Sequence, residues 1–301
     1  MEFDLARLKK RPSFPFETIA VAIAFSPRLE GLIGEAARLS KIFNAQLILM
    51  HVGERTRTKE DRLNAILEKQ KINEKEIRVI WNEGNTVDVL LQLCKLHVVD
   101  LLVLGALSKE NMLKYYLGSL ARNISRKAKC SVLLITEPDQ AGSRYKKIVV
   151  DGVENPKTFH TINTAIYVAE HLKAKEITVA SEVHLPTLAM TMAEESTAPE
   201  ASKMKKDLQE EEASKVHDMV ESCHKHGDIE ICEKMIKGKP GYAIRNYAAT
   251  KKADLLVINS PDDTVKNIYG LNSTLETIKT HYLTWESWAN LFIYTLANEK
   301  P

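Results

Sequence analysis

Asp100-Leu-Leu-Val-Leu-Gly-Ala-Leu-Ser-Lys-Glu-Asn-Met-Leu-Lys-Tyr-Tyr-Leu-Gly-Ser119 is the stretch from which the rest of the chain can be read. Leu101 to Leu104 form a short unbroken apolar run, as a parallel strand buried on both faces requires. Gly105 ends the run, where a missing Cβ lets the backbone turn or approach a ligand closely. Gly118 and Ser119 stand where a helix over 119–129 begins. Free backbone N–H groups at a helix start, beside a glycine and a hydroxyl, favour an anion such as phosphate. The stretch therefore predicts a strand, a phosphate-type loop and a helix, without the lysine that marks a P-loop.

The pattern returns. Asp254-Leu-Leu-Val-Ile-Asn259 stands 154 positions after Asp100-Leu-Leu-Val-Leu-Gly105, and Asn272-Ser273 stands 154 after Gly118-Ser119. Gly238 answers to Gly84 at the same offset. A constant spacing over three separate elements implies two copies of one domain.

On these residues the chain resembles the universal stress protein family, whose ATP-binding members carry Gly-x2-Gly-x9-Gly-Ser/Thr after the fourth strand. The frame falls here on Gly105, Ser108, Gly118 and Ser119, so the second glycine is a serine. In the repeat it falls on Asn259, Asp262, Asn272 and Ser273, with every glycine lost. The resemblance implies two tandem flavodoxin-like α/β domains with five-stranded parallel sheets in the order 3-2-1-4-5. It places domain 1 at 1–138 and domain 2 at 145–301, the latter with an insert at 182–205. It also implies that domains pair through their last strands, giving an internal pseudo-dimer and leaving room for a homo-oligomer.

The bounds agree with this reading. The 301 residues suit two domains of about 150 each. A content of 44% apolar and 27% charged residues is that of an ordinary globular protein. A net charge of +2 gives no reason to expect nucleic acid or an anionic membrane as partner. No apolar run approaches the ~20 residues of a membrane span. The charged N-terminus lacks the apolar core of a signal peptide, and four cysteines without such a signal suggest reduced thiols. A cytoplasmic location is the expectation.

Apolar runs at 18–24, 46–52, 76–81, 101–105 and 131–136 alternate with helical patterns at 28–43, 57–71, 87–97 and 119–129. That alternation predicts right-handed crossovers and a doubly wound parallel sheet. A ligand then sits at the switch point, against the ends of strands 1 and 4. Ser26-Pro27 reads as a helix cap, and 137–144 as a linker. The second copy runs through strands at 147–151, 176–181, 229–235 and 255–259. Ala24 to Gly84 spans 60 positions and Asp151 to Gly238 spans 87, so the 27 extra fall between strands 2 and 3. They hold a Met-bearing loop at 184–192 and a helix over 201–226. A last strand at 291–296 follows Trp285 and Trp288, which share a helical face and read as packing residues.

On the family resemblance, Gly118 N–H with the hydroxyls of Ser119 and Ser108 would hold the phosphates of ATP, with Mg²⁺ as companion ion. Gly105 would admit the ribose and Val52 would wall the adenine. Binding members carry an aspartate at the end of strand 1, where this chain has Ala24. The second copy keeps that acid as Asp151, but Asp262 and Asp263 lie where phosphates would, and would repel them without a metal. Cys223, His226 and Cys232 are weak zinc candidates whose spacing fits no standard finger, so no metal site is assigned. No Gly-x-Ser-x-Gly or His-Glu-x-x-His pattern occurs, which argues against an enzyme beyond weak ATP hydrolysis. The expectation is a non-catalytic, ATP-binding stress-response module with its site in domain 1. The alternative is a nucleotide-free interaction or scaffold protein acting through the internal pseudo-dimer. A weaker rival is a metal-dependent hydrolase using Asp262 and Asp263.

Overall fold

A computed structural model describes residues 14–73, 76–105, 119–135, 138, 145–153, 158–182, 198–223, 229–237, 243–259 and 290–294. The chain divides into two compact units, one holding the described residues 14–138 and 290–294, the other 145–259.

The first unit is laid down as β1 (Thr18–Ala22), α1 (Leu29–Phe43), β2 (Gln46–Val52), α2 (Arg57–Lys69), β3 (Ile77–Asn82), α3 (Thr86–Leu96), β4 (Leu101–Gly105), α4 (Ser119–Lys127) and β5 (Ser131–Ile135). These strands lie parallel in the order β3-β2-β1-β4-β5. Ile19, Leu47, Ile48, Leu101, Leu102, Val103, Val132 and Leu134 are almost entirely buried, as helices on both faces of a parallel sheet demand. Edge strand β3 has no fully buried residue, with Arg78 and Asn82 exposed and the others half-buried. Helix α1 buries Leu29, Leu32, Ile33, Ala36, Leu39 and Phe43, a stripe at helical spacing. Asn85 caps α3, its Oδ1 accepting from Val87 N at 3.1 Å and Asp88 N at 3.2 Å. Thr56 caps α2 through a longer bond from Lys59 N, 3.4 Å. The expected cap at Ser26 is not formed by its side chain: α1 starts at Leu29 with Arg28 in the cap position and no side-chain cap.

One aspartate ties this sheet at its lower end. Asp100, buried just before β4, accepts hydrogen bonds on Oδ2 from Glu17 N and Thr18 N, both at 2.8 Å. Its own N–H donates to Thr18 O and its C=O accepts from Ser131 N, each at 2.9 Å. It therefore pins the starts of β1, β4 and β5.

The second unit runs β6 (Lys147–Asp151), α5 (Thr158–Leu172), β7 (Glu176–Glu182), α6 (Ala198–Glu221), β8 (Glu230–Ile236), α7 (Ala243–Thr250) and β9 (Leu255–Asn259). Its strands are parallel in the order β8-β7-β6-β9, the same winding one strand shorter. Asp254 repeats the clamp, accepting on Oδ2 from Lys146 N at 2.8 Å and Lys147 N at 2.9 Å.

The strand expected as the second copy's fifth is β10 (Asn290–Tyr294). It lies antiparallel along β5 of the first unit, with Leu291 opposite Leu134, Phe292 opposite Leu133 and Ile293 opposite Val132. Strand β5 thus has a partner on each side, which removes a bare edge. Among the described residues the second unit's sheet has four strands rather than five.

Candidate functional site

The carboxyl ends of β1, β2 and β4 meet on one side of the first unit, at the switch point of the winding. Val52 ends β2 half-buried, and Gly105 ends β4 exposed. Among the described residues a Cβ built on Gly105 would meet only Leu32 Cδ2 at 3.5 Å, an ordinary contact. Ala24, beyond the end of β1, is exposed and offers no polar group. Ser119 is the first residue of α4, as the phosphate-loop reading requires. Ser108 and Gly118 lie outside the described residues, as do 184–192, His226, Asp262, Asp263, Trp285 and Trp288.

The corresponding place in the second unit is filled from within. Asn259, the counterpart of Gly105, is buried. Its Nδ2 donates to Thr158 Oγ1 at 3.2 Å, and its Oδ1 accepts from Thr161 Oγ1. Thr158 Oγ1 in turn donates to Val153 O at 2.6 Å. Asp151, at the end of β6, accepts on Oδ1 from Val153 N at 3.1 Å. Glu182, which ends β7 as Val52 ends β2, is buried and accepts on Oε1 from Ile244 N at 2.9 Å, in the first turn of α7. A carboxylate is favoured at a helix N-terminus, where N–H groups lack partners. All three strand ends are thus closed by bonds within the unit. Each buried polar group is satisfied, so displacing them costs their hydrogen bonds.

An aromatic cluster flanks the first unit's crevice and was not singled out in the sequence. His51 and Trp81 are register partners across β2 and β3, with ring centroids 5.0 Å apart and planes at 72°. Phe25 stacks on Trp81 at 5.9 Å and meets His51 edge-on at 5.0 Å. His51 Nδ1 bonds Ile23 O at 3.0 Å, while its Nε2 is buried without a hydrogen-bond partner. A Cβ on Gly53 would come within 3.1 Å of that nitrogen, and Gly53 has φ +145°, so glycine is required there on both counts. The signal available in the sequence was an aromatic residue near the end of each of three strand segments, which only the strand order brings together.

Of the weak metal candidates, Cys223 and Cys232 fall within the described residues. Cys223 is buried with its Sγ donating to Met219 O at 3.2 Å. Cys232 sits half-exposed on β8, where burial first and the Glu230 carboxylate second push its thiol pKa up. Among the described residues no group of three or more His, Cys, Asp or Glu side chains is arranged to hold a metal ion.

Residues 53–136, which include the frame of Gly105, Ser108, Gly118 and Ser119, match the model of the universal stress protein family. Over these residues the chain is similar to the universal stress protein family. Solved structures extend the likeness in fold to both units. A functionally unknown protein from Pseudomonas aeruginosa PAO1 aligns at TM-score 0.60 and 17% identity, covering 94% of this chain and 93% of that one. A putative universal stress protein from Pseudomonas aeruginosa UCBPP-PA14 aligns at 0.59 and 15%, covering 94% of each. A universal stress protein from Archaeoglobus fulgidus DSM 4304 aligns at 0.57 and 12%, covering 95% of this chain and all of that one. A search of curated proteins returns no match. Among the described residues no helix is long and apolar enough to cross a membrane.

Proposed function

We propose that this universal stress-type chain is a non-catalytic stress-response module whose first unit binds an adenine nucleotide, with ATP and its Mg²⁺ as the leading ligand. The adenine lies against Val52, the ribose passes over Gly105, and the phosphates meet the start of α4 at Ser119, with Gly118 and Ser108 completing the loop. The second unit has kept the fold and given up the site.

The observation that carries this reading is the contrast at one strand position. Gly105 is exposed and brings no side chain, while Asn259 is buried with a hydrogen-bonded side chain at the equivalent place. A ligand that binds only the folded chain raises its melting temperature by mass action, worth about 2.7 kcal/mol at a hundredfold excess over Kd. Full-length chain with millimolar Mg-ATP should therefore melt higher and give a calorimetric binding signal. Gly105→Asn should abolish both while leaving the melting point without nucleotide nearly unchanged, because Gly105 is exposed and a Cβ there makes only an ordinary contact with Leu32 among the described residues. Silence of the unmodified chain in both assays rejects the nucleotide reading. The nucleotide-free interaction protein is then the reading that stands, favoured by the self-filled strand ends of the second unit.

A further inference from the structure

From α2, Arg62 reaches across to the connection between β1 and α1. Its Nη1 donates to Phe25 O at 3.1 Å and its Nη2 to Ser26 O at 2.9 Å. Two consecutive carbonyls thus share one guanidinium, whose fixed fork suits paired acceptors as a single ammonium does not. The guanidinium carbon lies 6.0 Å over the Phe25 ring, and Lys59 Nζ, one turn earlier on α2, lies 5.9 Å from the same ring. Among the described residues Arg62 has no carboxylate partner, so its hydrogen bonds go to the loop.

The grip falls where local sequence provides little. Helix α1 starts without a side-chain cap. Ser26 O, one of the two oxygens that Arg62 holds, also accepts from Leu29 N at 3.2 Å, the bond that opens α1. One turn on, Leu32 N donates to Arg28 O at 3.0 Å. Leu32 Cδ2 in turn lies 3.5 Å from the place a Cβ on Gly105 would take. Direct contacts therefore lead from Arg62 through Ser26 and the first turn of α1 to the strand end at Gly105. On the strand side the same loop is tied at Ile23 O by His51 Nδ1 at 3.0 Å, and Phe25 stacks on Trp81.

We propose that Arg62 is a positioning residue for nucleotide binding. By clamping Phe25 and Ser26 it holds the start of α1, and with it Leu32, where the crevice beside Gly105 needs them, without touching the ligand. This inference rests on the adenine-nucleotide reading above. Apparent affinity falls with the fraction of chains in the competent conformation, so a loop held in place a fifth of the time weakens binding about fivefold.

The test is calorimetry of the full chain with Mg-ATP, beside melting and amide exchange without nucleotide. Arg62→Gln should weaken Mg-ATP about fivefold. It should also quicken exchange of the Ser26 amide, which donates to Ala24 O at 2.7 Å. Arg62 is exposed, so the ligand-free melting point should move by less than about 2 °C. Arg62→Lys keeps the charge but lacks the fork, and its affinity should fall between the other two. The ratio of affinities between parent and Arg62→Gln should be the same in about 0.05 M and about 0.5 M KCl, because a clamp acts by contact rather than through a screened field. Silence of the unmodified chain toward Mg-ATP overturns the nucleotide reading and this one with it. Binding that survives Arg62→Gln unweakened overturns this one alone. So does a loss that vanishes in high salt, full affinity in Arg62→Lys, unchanged Ser26 exchange, or a melting point that falls in the ligand-free Arg62→Gln chain.

Discussion

Asp100 does more for the fold than its place before an apolar run suggests. Its carboxylate takes two backbone N–H groups at 2.8 Å, that of Thr18 buried and that of Glu17 partly so, and its own peptide group bonds β1 and β5. Hydrogen bonds to a charged group are worth about 1.5–3 kcal/mol each, and an orphaned buried N–H costs more than the bond itself gained. Asp100→Ala should therefore destabilise the chain by about 3 kcal/mol, read as a lower midpoint in urea with an unchanged slope. A change under ~0.5 kcal/mol would show the clamp to be incidental. His97, at the end of α3, is a second residue with a measurable signature. Burial first, and the Arg78 guanidinium 3.3 Å away second, lower its pKa from the ordinary 6.5. The folded chain therefore binds a proton less readily than the unfolded one. Stability from this group is fully present above about pH 6.5 and falls as the pH drops below that value through the folded one. Arg78→Gln should move the His97 titration upward in an NMR pH series, and a titration that stays put removes the Arg78 contribution.

The elements were largely written in the sequence because each strand is a buried apolar run and each helix an amphipathic stripe. Leu101 to Leu104 and Leu255 to Ile258 announce themselves, and their constant offset gives the duplication before any contact is known. What escaped the sequence were relations between elements. Ser26 looked like a helix cap, yet the turn there puts Arg28 in that position, a choice made by tertiary packing rather than local propensity. Phe25, His51 and Trp81 are far apart in the chain, and periodicity does not say that they share one corner. The candidate site was partly readable: Gly105 and Val52 stand at strand ends as the winding requires. The closure of the second unit was not, since the Thr161 partner of Asn259 sits 98 positions earlier. At this level the test is exchange. Asn259→Gly takes one hydrogen bond from each of the buried hydroxyls of Thr158 and Thr161. It should cost about 1–3 kcal/mol by chemical denaturation. A variant as stable as the parent would mean that Asn259 fills space without holding it.

Taken together, the two units share a winding and an aspartate clamp, but differ at the ends of their strands. Gly105 is exposed at its strand end while its counterpart Asn259 is buried and hydrogen-bonded, the contrast on which the proposed loss of the second site rests. The division of the sheets is uneven as well. Strand β10 joins the first unit, pairing with β5 between residues that stand 157 to 161 positions apart, from Leu291 with Leu134 to Ile293 with Val132. Ending the chain before Asn290 should leave β5 with an unpaired side, and such edges recruit other chains. Size-exclusion chromatography of that truncation should show self-association that the full chain lacks, and a truncated chain that elutes as the parent does would count against the role given to β10.

That long-range pairing also sets an order of events during synthesis. Asn290 leaves the ribosome well after Ile135, and at ~5–20 residues per second the wait is roughly 8–30 s. Throughout that interval the first unit is translated but laterally incomplete, and the polypeptide that must close it is still being made. A nascent chain with such a delay is a natural client for whatever chaperone shields newly made β-structure, and slowing translation downstream of β5 should lengthen its dependence on that help.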